Sequence, residues 1–325
     1  MKIATRFLSA AVATALLAGG AAIQPASAQT VSFASLPQGS LIYFQATVLS
    51  KMLLDKTDLK VRVAPMRGPE AVFAAIERKQ AELGLFDVTQ AAAINGEESF
   101  KGRPLKNLRA VARLVVFPVG MMVRKDSNIG SIADLKGKPL PTGWRAFRQG
   151  EVLLQALLAT GGLTLKEVKH VPTVGLIRAA DDFKAGRTVA TMIAPTTPKV
   201  KEVNAAVRGI RFLSTGNSPE VLKIVQSVRK DFFIMTLKPA PYLPGILSET
   251  SLLAFDLALS AGAHVPDEVA YKIAKAVYEN KKMLAQGHPT FRSFNPKQAG
   301  KQFSALKYHP GAIKFYKEVG IWQGK

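Results

Sequence analysis

Cysteine is missing from this chain altogether. Its absence excludes a disulfide framework, a cysteine nucleophile and a lipidated N-terminal thiol, so the fold must be held by its core alone. Histidine is scarce, with only His170, His264, His288 and His309. Three of the four stand beside turn-forming prolines (His288-Pro289, His309-Pro310, and His264 two residues before Pro266), a setting that favours structural roles. No G-x-S-x-G and no Gly-rich dinucleotide or phosphate loop occurs, and no pair of histidines or carboxylates falls at ligand spacing with a partner cluster. The expectation is a non-enzyme with no cofactor and no metal site. Acids are also few, 23 against 44 Lys and Arg, which leaves a formal charge of +21.

The N-terminus supplies the compartment. Met1-Lys2-Ile3-Ala4-Thr5-Arg6, an apolar run from Phe7 to Ile23 and the small-residue site Ala26-Ser27-Ala28 form the three-part pattern of a secretory signal peptide over residues 1–28. No later run is long and apolar enough to span a bilayer, so the expected product is a protein free in a bacterial periplasm and not itself membrane-spanning. An exported chain should meet no nucleic acid. Its basic excess, spread along the sequence, then reads as a solvated surface, a field that draws anionic ligands, or an affinity for anionic lipid.

Roughly 300 residues after the leader suffice for one large domain or two lobes. Val31 to Leu36 is a short apolar strand, Pro37 to Ser40 a loop, and a helix follows with Ile42, Ala46, Leu49 and Leu53 on one face. Such a junction aims backbone N–H groups and a helix dipole at whatever lies in front of it, although ordinary βα turns look the same. Leu59 to Pro65 reads as a strand, Ala71 to Lys79 as a helix and Glu82 to Phe86 as a strand, an alternation that predicts a parallel α/β sheet with ligands at the strands' carboxyl ends. Leu108 to Lys125 is too long for one ordinary strand and fits a strand crossing between lobes. The plan then repeats: strand Gly137 to Pro141, loop Thr142 to Gly150, helix Glu151 to Thr160, strand Val168 to Val171, helix Ile177 to Lys184 and strand Thr188 to Ala194. Asp231 to Leu237 reads as the return crossing. Helices are expected over Glu249 to Ser260, Asp267 to Gln286 and Gly311 to Val319, packing back on the first lobe. The boundaries that follow are 29–120 plus 236–325 for one lobe and 121–235 for the other.

Two opposed strand-loop-helix mouths suit closure on a small molecule. The candidate ligand-binding residues are Gln38, Gly39, Ser40 and Tyr43 on the first mouth, Arg67, Asp87 and Gln90 on neighbouring loops, Thr142, Gly143, Trp144, Arg145 and Gln149 on the second mouth, Thr196 after a later strand, and Tyr242 beyond the return crossing. Arg148 shares the second loop. An arginine in such a cleft can clamp a carboxylate through a bidentate fork, with Arg145 or Arg67 as counter-ion; surface loops also carry arginine for no such reason. Trp144 and Phe147 are candidates either for an apolar wall or for loop anchors.

Asn107-Leu108-Arg109-Ala110-Val111-Ala112, Val123-Arg124-Lys125-Asp126-Ser127, Ile132 to Lys138 and the carboxyl-terminal His309 to Trp322 carry a resemblance over essentially the whole exported chain. It is to the TAXI group of solute-binding proteins of tripartite ATP-independent periplasmic (TRAP) transporters. The resemblance implies an α/β, two-lobed type II periplasmic-binding fold, its lobes joined by two hinge strands. It also implies capture of a small carboxylate or amino acid, such as glutamate or 2-oxoglutarate, for a sodium- or proton-driven inner-membrane permease. The loops depart from the family pattern, since only Gly39, Ser40 and Tyr43 remain of the first and the second is bulky and cationic. The competing expectation is a basic exported interaction or signalling protein that uses the same fold without a transport ligand, distinguished by a cleft that Trp144 and Phe147 fill.

Overall fold

The computed structural model describes residues 30–86, 89–97, 100–303 and 305–324. The leader expected over residues 1–28 lies outside the described residues. The chain opens with β1 (Thr30–Ser35), α1 (Leu41–Lys56), β2 (Lys60–Pro65), α2 (Pro69–Glu77), β3 (Leu83–Phe86) and α3 (Thr89–Asn95). After the long β4 (Leu108–Arg124) come β5 (Pro139–Thr142), α4 (Gln149–Ala159), β6 (Lys169–Pro172), α5 (Leu176–Lys184), β7 (Ala190–Ile193), α6 (Pro198–Ala206), β8 (Ile210–Phe212), α7 (Pro219–Val228) and β9 (Phe233–Leu237). The chain closes with β10 (Thr250–Gly262), α8 (Asp267–Glu279), α9 (Lys281–Gly287) and α10 (Pro310–Glu318).

β1, β2 and β3 pair in parallel, as the strand-helix alternation requires. β10 then joins β3 and β4 antiparallel, and β4 continues into β7 and β8. β5 and β6 form a separate parallel pair. β4 carries the architecture, since residues Leu108 to Val119 pair with β10 while Gly120 to Arg124 pair with β7 and β8.

The segment Glu249 to Ser260, expected as a helix, is instead strand β10. Its Leu/Ala content imitates a helix, but the strand lies between other strands with nearly every residue buried, so both of its faces are apolar and period-two alternation vanishes. The strand expected over Asp231–Leu237 forms as β9, which pairs only with Thr250 to Ala254 of β10; the strand that runs alongside β4 over most of its length is β10. The helix expected over Asp267–Gln286 breaks at Asn280 into α8 and α9. These helices pack against α1, and α10 packs on α8 so closely that a Cβ on Gly311 would lie 1.9 Å from the Asp267 carbonyl oxygen.

Aromatic pairs anchor the core. Phe73 of α2 stacks on Phe86 of β3 at 4.3 Å, and Phe117 of β4 stacks on Phe255 of β10 at 5.2 Å. The first pair seats α2 on the sheet and the second locks the two long strands side by side. Two histidines act as helix caps, with Nδ1 of His309 accepting from Gly311 N at 3.3 Å and Nδ1 of His288 accepting from Thr290 N at 3.3 Å.

Candidate anion site at the opposed mouths

The first mouth is built by capping. The Ser40 hydroxyl accepts from Tyr43 N at 3.2 Å and so starts α1, while Gly39 at φ +86° supplies the left-handed turn before it. Ser40 is buried, and Gly39 faces Ile177 across the crevice. Gln38 lies at the exposed rim, its Nε2 3.5 Å from the Tyr43 hydroxyl.

The second mouth follows β5. Thr142 ends that strand in a buried position. Gly143 N donates to Glu151 Oε2 at 3.3 Å, and Trp144 adopts the positive φ of 25° that turns its ring under α4. A Cβ on Gly150 would sit 2.4 Å from that ring, so the close approach needs glycine there. Trp144 is therefore a loop anchor, wholly buried, with its Nε1 unpartnered. Arg145 N and Ala146 N donate to the carbonyls of Thr173 and Val174 at 3.2 and 2.9 Å, which ties the loop to the turn entering α5. Gln149 is buried at the start of α4, where its Oε1 accepts from Arg229 Nη2 at 3.4 Å.

Phe147 is the residue of this loop that enters the crevice. With Leu36, Leu176 and Ile177 it lines two spaces, one of about 40 Å³ that Ile42 also borders and one of about 210 Å³ that reaches Arg67 and Arg178. The mouths touch just beyond it, where a Cβ on Gly68 would lie 1.6 Å from the Ala146 carbonyl oxygen.

The larger space lies on the outer side of that contact. A cavity of about 610 Å³ has Arg67 from the loop before α2 and Arg145 from the second mouth in its wall. Arg148 joins them, and so do Arg78 and Arg103, two residues that the sequence reading did not single out. Arg78 reads locally as a helix C-cap and Arg103 as one cation in a basic loop, and only tertiary packing brings them together. Among the described residues, none of the five guanidinium groups has a side-chain hydrogen bond or ion pair. Two acids share the wall, Glu70 and Glu77, and the Glu77 carboxylate already accepts from Asn107 N at 3.0 Å and from Asn107 Nδ2 at 3.2 Å.

The remaining candidates are dispersed. Thr196 has a buried, unpartnered Oγ1. Tyr242 lies under the guanidinium of Arg292, 4.7 Å from the ring centre. Asp87 lies outside the described residues, as does the side chain of Gln90.

Two α/β lobes sharing two long antiparallel strands, with strand-loop-helix mouths facing each other, define the type II periplasmic-binding-protein fold. A family model described as the NMT1-like family matches residues 34–320, and the chain belongs to that family. Solved structures agree on the fold. One described as a periplasmic transporter superposes with a TM-score of 0.58 at 14% identity, covering 91% of this chain and 94% of the other. PhnD1 from Prochlorococcus marinus (MIT 9301), solved with methylphosphonate, superposes with a TM-score of 0.53 at 14% identity over 90% of this chain and 99% of its own. A protein from Bordetella bronchiseptica RB50 gives 0.53 at 14% identity over 90% and 98%.

Proposed function

We propose that this chain is a periplasmic solute-binding receptor whose two lobes close on a small anionic, carboxylate-bearing solute. The observation that carries the reading is that Arg67 and Arg145, contributed by opposed mouths, line one cavity. A carboxylate there meets a guanidinium from each side, so its binding favours the closed arrangement. The exported fold and the TAXI-like sequence features support delivery to a TRAP-type permease in the inner membrane. Within this reading the first lobe comprises about residues 29–120 and the carboxyl-terminal part from β10 onward, the second runs from about residue 121 past the expected boundary at 235 to the start of β10, and β4 and β10 serve as hinges. Because β10 makes the return, the stretch between β9 and β10 travels with the second lobe.

Thermal-shift screening of carboxylates on the exported form, repeated on Arg67→Ala and Arg145→Ala, tests the assignment. Stabilisation of the parent that weakens in both variants supports it; undiminished binding in both removes the clamp. The second reading, an interaction protein without a transport ligand, is favoured by the crevice at Phe147, whose spaces of about 40 and 210 Å³ are each smaller than the roughly 300 Å³ of an ordinary ligand pocket. Failure of every carboxylate to stabilise the parent chain would favour that reading.

A further inference from the structure

We infer that Arg292 and Tyr242 form a clasp across the lobes, a guanidinium-on-ring contact that holds the closed arrangement before any solute enters. The inference uses the lobe division proposed above and is independent of what the receptor binds. The guanidinium carbon of Arg292 stands 4.7 Å from the centre of the Tyr242 ring, well inside the range over which an aromatic face attracts a cation.

The two partners are carried by different lobes. Arg292 lies in the short helical turn Pro289–Ser293 that follows α9, and Phe291 within it is wholly buried. That turn is fixed to the first lobe. Gln45 Nε2 of α1 donates to Thr290 Oγ1 at 3.1 Å, and a Cβ on Gly287, at the end of α9, would lie 2.6 Å from the Val48 side chain of α1. Tyr242 belongs instead to the stretch between β9 and β10. It packs against a cluster in which Leu243 and Ile246 join Ile210 and Phe212 of β8, and Phe212 N donates to the Gly245 carbonyl at 3.0 Å. These contacts fasten Tyr242 to the second lobe.

A separate pair brings the lobes together at the same turn. Lys201 of α6 lies close enough to His288, which caps the turn, for its charge to disfavour protonation of the imidazole. Neither pair shares an element with the contact between Gly68 and Ala146, so the lobes meet at two distinct places. Among the described residues Arg292 has no hydrogen bond or ion pair, and the Tyr242 hydroxyl has no hydrogen bond. Nothing on its own lobe therefore orients the guanidinium, and the ring of the other lobe does. Opening that parts the pair by about 2 Å takes it beyond the roughly 6 Å reach of the interaction. The contact is made only in the closed form, so its free energy favours that state alone. For a pair at an exposed rim this shifts the closed-to-open ratio about two- to fivefold.

The test needs no solute. Nitroxide labels at Lys51→Cys and Lys166→Cys, exposed and on opposite lobes, give the closed and open populations of the exported form from their distance distribution. The labelled parent is compared with Arg292→Gln, Tyr242→Leu, Tyr242→Phe and the double variant Arg292→Gln/Tyr242→Leu, with circular dichroism confirming that each is folded. The solute-free parent should populate the short distance. Arg292→Gln and Tyr242→Leu should each lower the closed-to-open ratio about two- to fivefold, and the double variant no further than either. Tyr242→Phe, which keeps the aromatic face, should match the parent. A parent that shows only the long distance, single variants that leave the ratio unchanged, losses that multiply in the double variant, or a Tyr242→Phe variant as open as Tyr242→Leu overturns the clasp. Each of those results leaves the receptor reading standing, because the carboxylate screen tests that reading by itself.

Discussion

Replacing Gly68 by alanine is the sharpest perturbation of lobe closure that the structure offers. The backbone at Gly68 is extended (φ −176°, ψ 177°), so alanine fits it without local strain. As the N-cap of α2 it contributes no side-chain bond, and the local cost of the change is a few tenths of a kcal/mol to about 1 kcal/mol. Across the interface the outcome differs. The new Cβ would stand 1.6 Å from the Ala146 carbonyl oxygen, whereas real Cβ atoms keep at least 3.0 Å, so the segments must separate by about 1.5 Å or more. Ala146 cannot yield alone, because its own N–H is held by the Val174 carbonyl at 2.9 Å. If overpacking costs about 1–3 kcal/mol in the closed form and nothing in the open one, apparent affinity for a closing solute falls about 5- to 150-fold. A cysteine-free chain makes the motion measurable: spin labels at Lys51→Cys and Lys166→Cys, both exposed and on opposite lobes in the proposed division, report the inter-lobe distance. The variant should show a longer or broader distribution and weaker carboxylate binding at unchanged helix content. An unaltered distribution together with parental affinity would refute the claim that this contact limits closure.

Arg67→Ala and Arg145→Ala should each reduce affinity for a stabilising carboxylate by about tenfold, with a loss that shrinks as ionic strength rises, because both guanidinium groups stand at an exposed rim; titration at low and high salt checks this. Phe147→Ala removes a buried ring from the crevice, enlarges the small cavity there and should cost about 3 kcal/mol in urea unfolding; a loss below about 1 kcal/mol would mean that the ring is not packed as described. Burial, with Lys201 assisting, depresses the His288 pKa from 6.5 to about 4. The unfolded chain therefore binds a proton that the folded one refuses between these values, so stability falls as pH drops through that window, by up to about 3 kcal/mol. His288→Asn, which keeps a capping acceptor, should lose less stability than the parent chain between pH 7 and pH 4.5, as read by chemical denaturation.

Much of this was legible along the chain. Local pattern placed β1, α1, β2, α2 and β3 within a few residues, and the improbable length of Leu108–Arg124 announced the long strand β4. It failed at β10, where burial on both faces erased the alternation that marks a strand and left Leu/Ala periodicity to suggest a helix. The reading of Trp144 and Phe147 left wall and anchor open, and packing separated them: Trp144 goes under α4 because Gly150 leaves room, and Phe147 enters the crevice. Arg67 and Arg145 could be singled out because each sits in a turn at the mouth of a strand-helix unit. Arg78 and Arg103 could not, since their common cavity depends on the fold of α2 against the Phe100–Leu105 segment, a relation that no local spacing encodes.

The central claim is that guanidinium groups from opposed lobes jointly hold one anionic solute. Equilibrium titration of the carboxylate that most stabilises the exported form, against the parent chain, each single variant and the double variant Arg67→Ala/Arg145→Ala, tests it most directly. The account predicts loss in each single variant and near-abolition in the double variant, with coupling between the two positions. Parental affinity in the double variant, in a chain that remains folded, would contradict it.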